Sequence, residues 1–196
     1  MRVPSIEPTL SFGAELLLAA RGSGAGIRAA IFDVDGVLTD GTIYMNEHGE
    51  ALKAFSTLDG HGLKLLARGG IAPLVITGRD SPAVRRRVAD LGIAHALYGV
   101  GDKLAAATPL LEQLGFDWNA LAVMGDDWPD LPLLSRAGFA CAPPNAHAEV
   151  LAMVDHVTRA PGGAGAAREC CDLLLIAAGR YADLLRSDLT TLDRSW

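Results

Sequence analysis

From Ile27 onward, short apolar runs alternate along the chain with longer segments whose apolar positions recur every three to four residues. The runs at 29–32, 71–76, 94–98, 121–124, 137–142 and 152–157 have the length and composition of buried strands. Helical periodicity marks 60–68, 81–91, 102–114 and 164–178. In the last of these, Ala167, Cys170, Cys171, Leu174, Leu175 and Ala178 share one face. Ser81, followed by Pro82, and Asp102 stand where helix N-caps are preferred, while Gly69-Gly70 and Gly179 mark helix ends. Pro109 falls inside a predicted helix and is expected to kink or restart it, because proline removes a hydrogen bond. Residues 42–45 and 51–55 flank Asn46-Glu47-His48-Gly49 and read as a hairpin. A short helix over 11–21 precedes the glycine-rich Gly22-Ser23-Gly24-Ala25-Gly26.

Strands alternating with helices predict an α/β fold: a three-layer, doubly wound parallel sheet of Rossmann-like type. The expected organisation is an N-terminal extension (1–26), one core domain (27–179) with a hairpin flap at about 41–56, and a C-terminal tail (180–196). A chain of 196 residues is long enough to bury one such core. A net charge of −6 argues against a nucleic-acid surface, though not against a locally positive pocket. No apolar run approaches a membrane span, and Glu7 and Glu15 break the start as a signal peptide. Three cysteines without metal-ligand spacing or a disulfide framework fit a cytoplasmic protein.

In sheets of this type ligands bind beyond the carboxyl ends of the strands. Those ends carry Asp33 and Asp35, then Thr77, then Lys103, then Asp126-Asp127. Residues two apart on an extended chain project the same way, so Asp33 and Asp35 can share a pocket. Gly36 lets the backbone turn closely past a phosphate. Carboxylates gathered there, with Asp126 as the third, call for a hard cation such as Mg2+, which takes oxygen ligands and leaves room for a phosphate. With charge so shielded, Asp33 can attack phosphorus and split hydrolysis into two steps. Asp35 is placed to serve as acid and then base. Thr77, helped by the Gly78 amide, and Lys103 can stabilise the transferring phosphoryl group. Asp127 either orients Lys103 or caps the following helix, and Asp130 is expected on that helix's surface.

The run Asp-Val-Asp-Gly-Val-Leu-Thr-Asp-Gly from Asp33, then Ile76-Thr77-Gly78-Arg79, Gly101-Asp102-Lys103 and Gly125-Asp126-Asp127, resembles the four motifs of the haloacid dehalogenase superfamily in order and spacing. Asp40-Gly41-Thr42-Ile43-Tyr44, the stretch from Glu50 to Gly60, and Val157-Thr158-Arg159 followed by Gly162-Gly163-Ala164-Gly165-Ala166-Ala167-Arg168-Glu169 resemble its 3-deoxy-D-manno-octulosonate 8-phosphate (KDO 8-phosphate) phosphatases. That resemblance implies a Mg2+-dependent phosphatase of lipopolysaccharide precursor synthesis and a homotetramer. It implies side-chain metal ligation by Asp33 and Asp126, and ligation by Asp35 through its backbone carbonyl. Substrate contacts would fall on Asp35, Ser56, Thr57, Leu58, Asp59, Gly60, Lys64, Gly78, Arg79, Arg87 and Lys103. Leu58, Lys64 and Ala164 stand where the family often or usually has arginine. N-acylneuraminate 9-phosphate is the alternative substrate, and a receiver-like phospho-accepting switch the alternative class. Too few residues separate Gly41 from Ile71, or Thr77 from Lys103, for an inserted cap domain. The hairpin and the segment after Gly179 are therefore expected to meet neighbouring subunits.

Overall fold

The computed structural model describes residues 8–24 and 26–192. Helix α1 (Ala14–Arg21) precedes strand β1 (Ala29–Phe32) and the hairpin β2 (Tyr44–Asn46) and β3 (Gly49–Leu52). Then come α2 (Thr57–Arg68), β4 (Ala72–Ile76), α3 (Pro82–Leu91), β5 (His95–Leu97), α4 (Lys103–Leu114) and β6 (Leu121–Met124). The chain continues through α5 (Leu131–Leu134), β7 (Phe139–Ala142), α6 (Ala148–Leu151), β8 (His156–Val157), α7 (Ala166–Ala177) and α8 (Tyr181–Leu192). Six strands form a parallel sheet in the order β5-β4-β1-β6-β7-β8.

β1 is buried along its length because both of its faces are covered. Ala30 and Phe32 point into a core shared with α2 and α7, whereas Ala29 and Ile31 point into a second core shared with α4 and the Leu133-Leu134 turn of α5. A strand buried on both sides needs this unbroken apolar run. The chain winds outward from β1 to β4 and β5, then returns to the other side of β1 as β6. The winding reverses between β1 and β6, so the carboxyl ends of these two strands border the natural ligand crevice. No cap domain is present among the described residues. The hairpin and α2 fill the interval between β1 and β4, and α3 alone fills that between β4 and β5.

Three local expectations are corrected. Helix α2 starts at Thr57, a turn earlier than its apolar period suggests, with the Ser56 hydroxyl accepting from the Asp59 amide at 3.4 Å. Thr57 and Asp59, both poor helix formers, weaken the helical signal in that first turn. Pro109 does not interrupt α4; it and Ala105, whose carbonyl loses its partner, are both on the exposed side, where water can replace the bond. The region expected to be a tail contains α8. Its Tyr181 and Leu184 pack on the α2 and α7 side of the core, and Asp188 forms a two-pronged pair with Arg68 of α2 at 2.5 and 3.1 Å. The described part of that segment thus lies against its own subunit.

Candidate active site

Sheet ladders carry the candidate groups to the rim. The Asp33 amide donates to Met124 O at 3.0 Å and the Thr77 amide to Leu97 O at 3.0 Å, each just past a strand end. Lys103 opens α4, where the Asp102 carboxylate caps the Ala105 amide at 3.0 Å. Past β1 the chain turns at Gly36, whose φ of 95° lies in the left-handed region. A Cβ there would stand 2.0 Å from Asp126 Oδ2, so glycine is what allows the Asp126 carboxylate to pack against this turn. Asn145 clamps the turn from the far side: its amide donates to Gly36 O at 3.0 Å, and its carbonyl accepts from the Gly162 amide at 2.8 Å.

Within this rim the Lys103 ammonium donates to Asp33 Oδ1 at 2.7 Å and to Asp130 Oδ1 at 2.6 Å. Its side chain is 4% exposed, and the two carboxylates compensate the buried ammonium. Asp130 is not a surface residue. It is buried, and its other oxygen accepts from the Asp126 and Asp127 amides at 3.2 and 3.4 Å. Asp130, not Asp127, orients Lys103. Asp127 is exposed at the N-cap of the short turn Trp128–Asp130.

Asp33, Asp126 and Asp130 each place an oxygen within 4.8 Å of the others. Burial, then the neighbouring Asp130 charge, push the Asp33 carboxyl up to about 6 against the pull of Lys103. Burial and the charges of Asp33 and Asp130 push Asp126 up to about 8. Asp126 Oδ1 is buried with no hydrogen-bond partner. One ammonium therefore faces an excess of carboxylate, and an orphaned oxygen points at what is lacking: a cation with oxygen ligands. Mg2+ fits that requirement. Asp130 is less suited as a ligand, since Lys103 and two amides already occupy its oxygens.

A pH-dependent result follows. Between about pH 4 and 8 the folded, metal-free protein holds protons that an unfolded chain has lost, so these two groups make it less stable as pH rises. A bound cation displaces those protons. Mg2+ should therefore raise the melting temperature more at pH 8 than at pH 6, and calorimetry in buffers of different ionisation enthalpy should register proton release. An equal shift at both pH values, with no proton release, contradicts this.

Asp35 sits at the mouth, half-buried. It contacts Lys53 of the hairpin and lies 3.8 Å from Arg79 Nε. Thr77 is buried, and its hydroxyl oxygen accepts from the Arg79 amide at 3.4 Å. The other predicted contacts form a separate group. Arg87 Nη2 donates to Ser56 O at 2.9 Å and lies over the Phe55 ring. Gly60 packs directly beneath it, since a Cβ there would stand 2.2 Å from Nη2. Thr57, Leu58, Lys64 and Gly78 are exposed. Asp59, expected among the substrate contacts, is committed elsewhere: its carboxylate accepts from the Gly165 amide at 3.2 Å and the Arg168 amide at 2.8 Å, capping α7 from across the core. Arg168 in turn is paired with Asp172 at 2.8 Å.

A family model described as haloacid dehalogenase-like hydrolase matches residues 99–168. The 3-deoxy-D-manno-octulosonate 8-phosphate phosphatase KdsC of Escherichia coli (strain K12) is 46% identical over 154 residues, covering 79% of this chain and 82% of the relative. A probable YrbI family phosphatase from Pseudomonas syringae superposes with a TM-score of 0.85 at 41% identity, over 90% of this chain and 98% of that one. The Moraxella catarrhalis KDO 8-phosphate phosphatase, solved with magnesium ion, phosphate ion and KDO, superposes with a TM-score of 0.83 at 39% identity, over 89% of this chain and 98% of that one. With the strand-end motifs and the carboxylate cluster on the same rim, this chain belongs to the KDO 8-phosphate phosphatase family of haloacid dehalogenase-like hydrolases.

Proposed function

We propose that the protein hydrolyses KDO 8-phosphate to the free sugar acid and phosphate in lipopolysaccharide precursor synthesis. The observation that carries the reading is Asp33 held by Lys103 beside the orphaned Asp126 oxygen, at the point where the sheet reverses its winding. The side chains of Asp33 and Asp126 and the backbone carbonyl of Asp35 would hold Mg2+, which supplies charge neutralisation for the carboxylates and the phosphate.

Lys103 occupies Asp33 Oδ1. An Asp33 oxygen bonds to phosphorus as the ester P–O bond breaks, and Asp35 gives its proton to the departing alkoxide. Water then cleaves the aspartyl-phosphate while Asp35 takes up its proton. Thr77 accepts from the Arg79 amide with its oxygen, so its own hydroxyl proton is free for a phosphoryl oxygen. The exposed Gly78 amide and Lys103 add charge stabilisation where negative charge moves. Arg79, 3.8 Å from Asp35, and the neighbouring group of Ser56, Gly60 and Arg87, with the exposed Thr57, Leu58 and Lys64, would supply the contacts to the sugar acid.

Self-association as a homotetramer is part of the proposal. The hairpin leaves Tyr44, Met45 and Leu52 exposed, which favours burial against another copy. No described helix is long and apolar enough to cross a membrane. The three cysteines are free, which supports the cytoplasmic location included in the proposal. The test is phosphate release from a panel of sugar-acid phosphates, including N-acylneuraminate 9-phosphate, with and without Mg2+, beside sedimentation of the same sample. KDO 8-phosphate should give the highest kcat/KM, only with the cation, in a tetramer. A higher value for another sugar acid reassigns the substrate, and a fully active monomer removes the tetramer.

A further inference from the structure

The hairpin does more than extend over the rim. Lys53 follows β3 and directs its ammonium inward, where the side chain is 1% exposed. It meets Asp35 and, at 3.2 Å, Glu50 Oε2. Glu50 in turn accepts a hydrogen bond from the Ser81 hydroxyl at the start of α3. That contact explains why Ser81, expected to cap α3 with its side chain, makes no such bond. A buried ammonium is tolerated only between charges that compensate it, and here it has two. The flap is thus fastened at two points, one of them the carboxylate assigned to proton transfer.

We infer that Lys53 is a positioning residue: with the hairpin docked, it fixes the direction in which Asp35 presents its carboxyl to the leaving oxygen, and Glu50 and Ser81 hold Lys53 in register. Arg79, 3.8 Å from the other Asp35 oxygen, flanks the same carboxylate from α3's approach loop. Hairpin closure and acid/base readiness become one event. A small phosphatase without a cap domain gains from such coupling, because proton transfer is then efficient only when the flap has excluded water.

The inference rests on the phosphatase reading, and the experiment separates the two by leaving group. An alkyl phosphate needs a proton from Asp35 as its P–O bond breaks, whereas p-nitrophenolate departs without one. In Lys53→Met, single-turnover phosphorylation by KDO 8-phosphate, or by any alkyl phosphate the parent enzyme hydrolyses, should fall about 10²-fold, the low end of a general acid's contribution. The p-nitrophenolate burst should persist within about threefold, followed by slowed turnover as aspartyl-phosphate accumulates. The burst also reports that the variant is folded and loaded with Mg2+. Equal loss on both substrates, or no loss on either, overturns the inference while leaving the phosphatase reading intact. If Lys53→Met does not fold, Ser81→Ala, which releases only Glu50, is measured in the same way: the same split supports the inference, and a uniform loss or no change overturns it. A parent enzyme that gives no burst and releases no phosphate from either substrate defeats the phosphatase reading itself.

Discussion

Asp33→Asn should lower turnover by at least about 10⁴-fold, the scale on which removal of a covalent nucleophile acts, and should leave the protein folded. An amide oxygen is too weak a nucleophile to open a phosphate ester, and no other carboxylate on the rim can replace it. Asp35 is turned toward Lys53, Asp126 packs on the Gly36 turn, and Asp130 is occupied by Lys103 and two amides. Stability moves the other way. A carboxyl pushed from 3.8 to about 6 signals that ionised Asp33 costs the metal-free fold about 3 kcal/mol above pH 6. The amide removes that cost while leaving Lys103 its bond to Asp130. The variant without Mg2+ should therefore melt no lower than the parent at pH 8. Phosphate release and thermal melts check both halves. Activity within about 10²-fold of the parent would mean the nucleophile lies elsewhere.

What could be read from the chain and what could not divide along a physical line. Asp33, Thr77, Lys103 and Asp126 were legible because each follows an apolar run, and parallel sheets expose that position. The switch point between β1 and β6 then brings Asp33 and Asp126 together whatever the loops do. Asp130 was misplaced because acidic residues after a proline-containing turn usually face water. The clue was its distance of four residues from Asp126, about one helical turn, which lets it fold back onto the amides of its own loop. Lys53 and Asn145 carried no local signal. Their roles arise only when the hairpin folds over the rim and when the β7–α6 loop meets the glycine-rich segment. Asp59 failed in the opposite sense: it stands among plausible substrate residues, yet the first turn of α2 carries it inward to cap α7. Leu184, Leu185 and Leu189 have helical spacing, so α8 is legible in the sequence even though the segment was expected as a tail. The hairpin's position relative to Asp35 is tertiary information, which periodicity does not contain.

Asp130→Ala decides whether the Lys103 network serves stability or chemistry. Deleting one partner of a buried ion pair ordinarily costs about 3–5 kcal/mol, because the remaining charge is stranded. Here two effects oppose that. Lys103 keeps Asp33 at 2.7 Å, and the charge of Asp130 is itself among the causes that raise Asp33 and Asp126, so its removal eases their ionisation. The metal-free variant should lose clearly less than the ordinary penalty, and less at pH 8 than at pH 6, since the relieved repulsion grows as the carboxylates ionise. Catalysis has no such compensation. Lys103 loses its 2.6 Å anchor and is free to follow Asp33 alone, while the Asp126 and Asp127 amides lose their acceptor and the loop carrying Asp126, the proposed metal ligand, should loosen. Misplacing one electrostatic stabiliser costs about 10²–10³ in kcat, and that loss should appear together with weaker Mg2+ binding. Melting curves with and without Mg2+, set against steady-state kinetics at saturating Mg2+, separate the contributions. A variant that turns over within about threefold of the parent but melts far lower would show that Asp130 holds the fold and that Lys103 needs no second anchor to act.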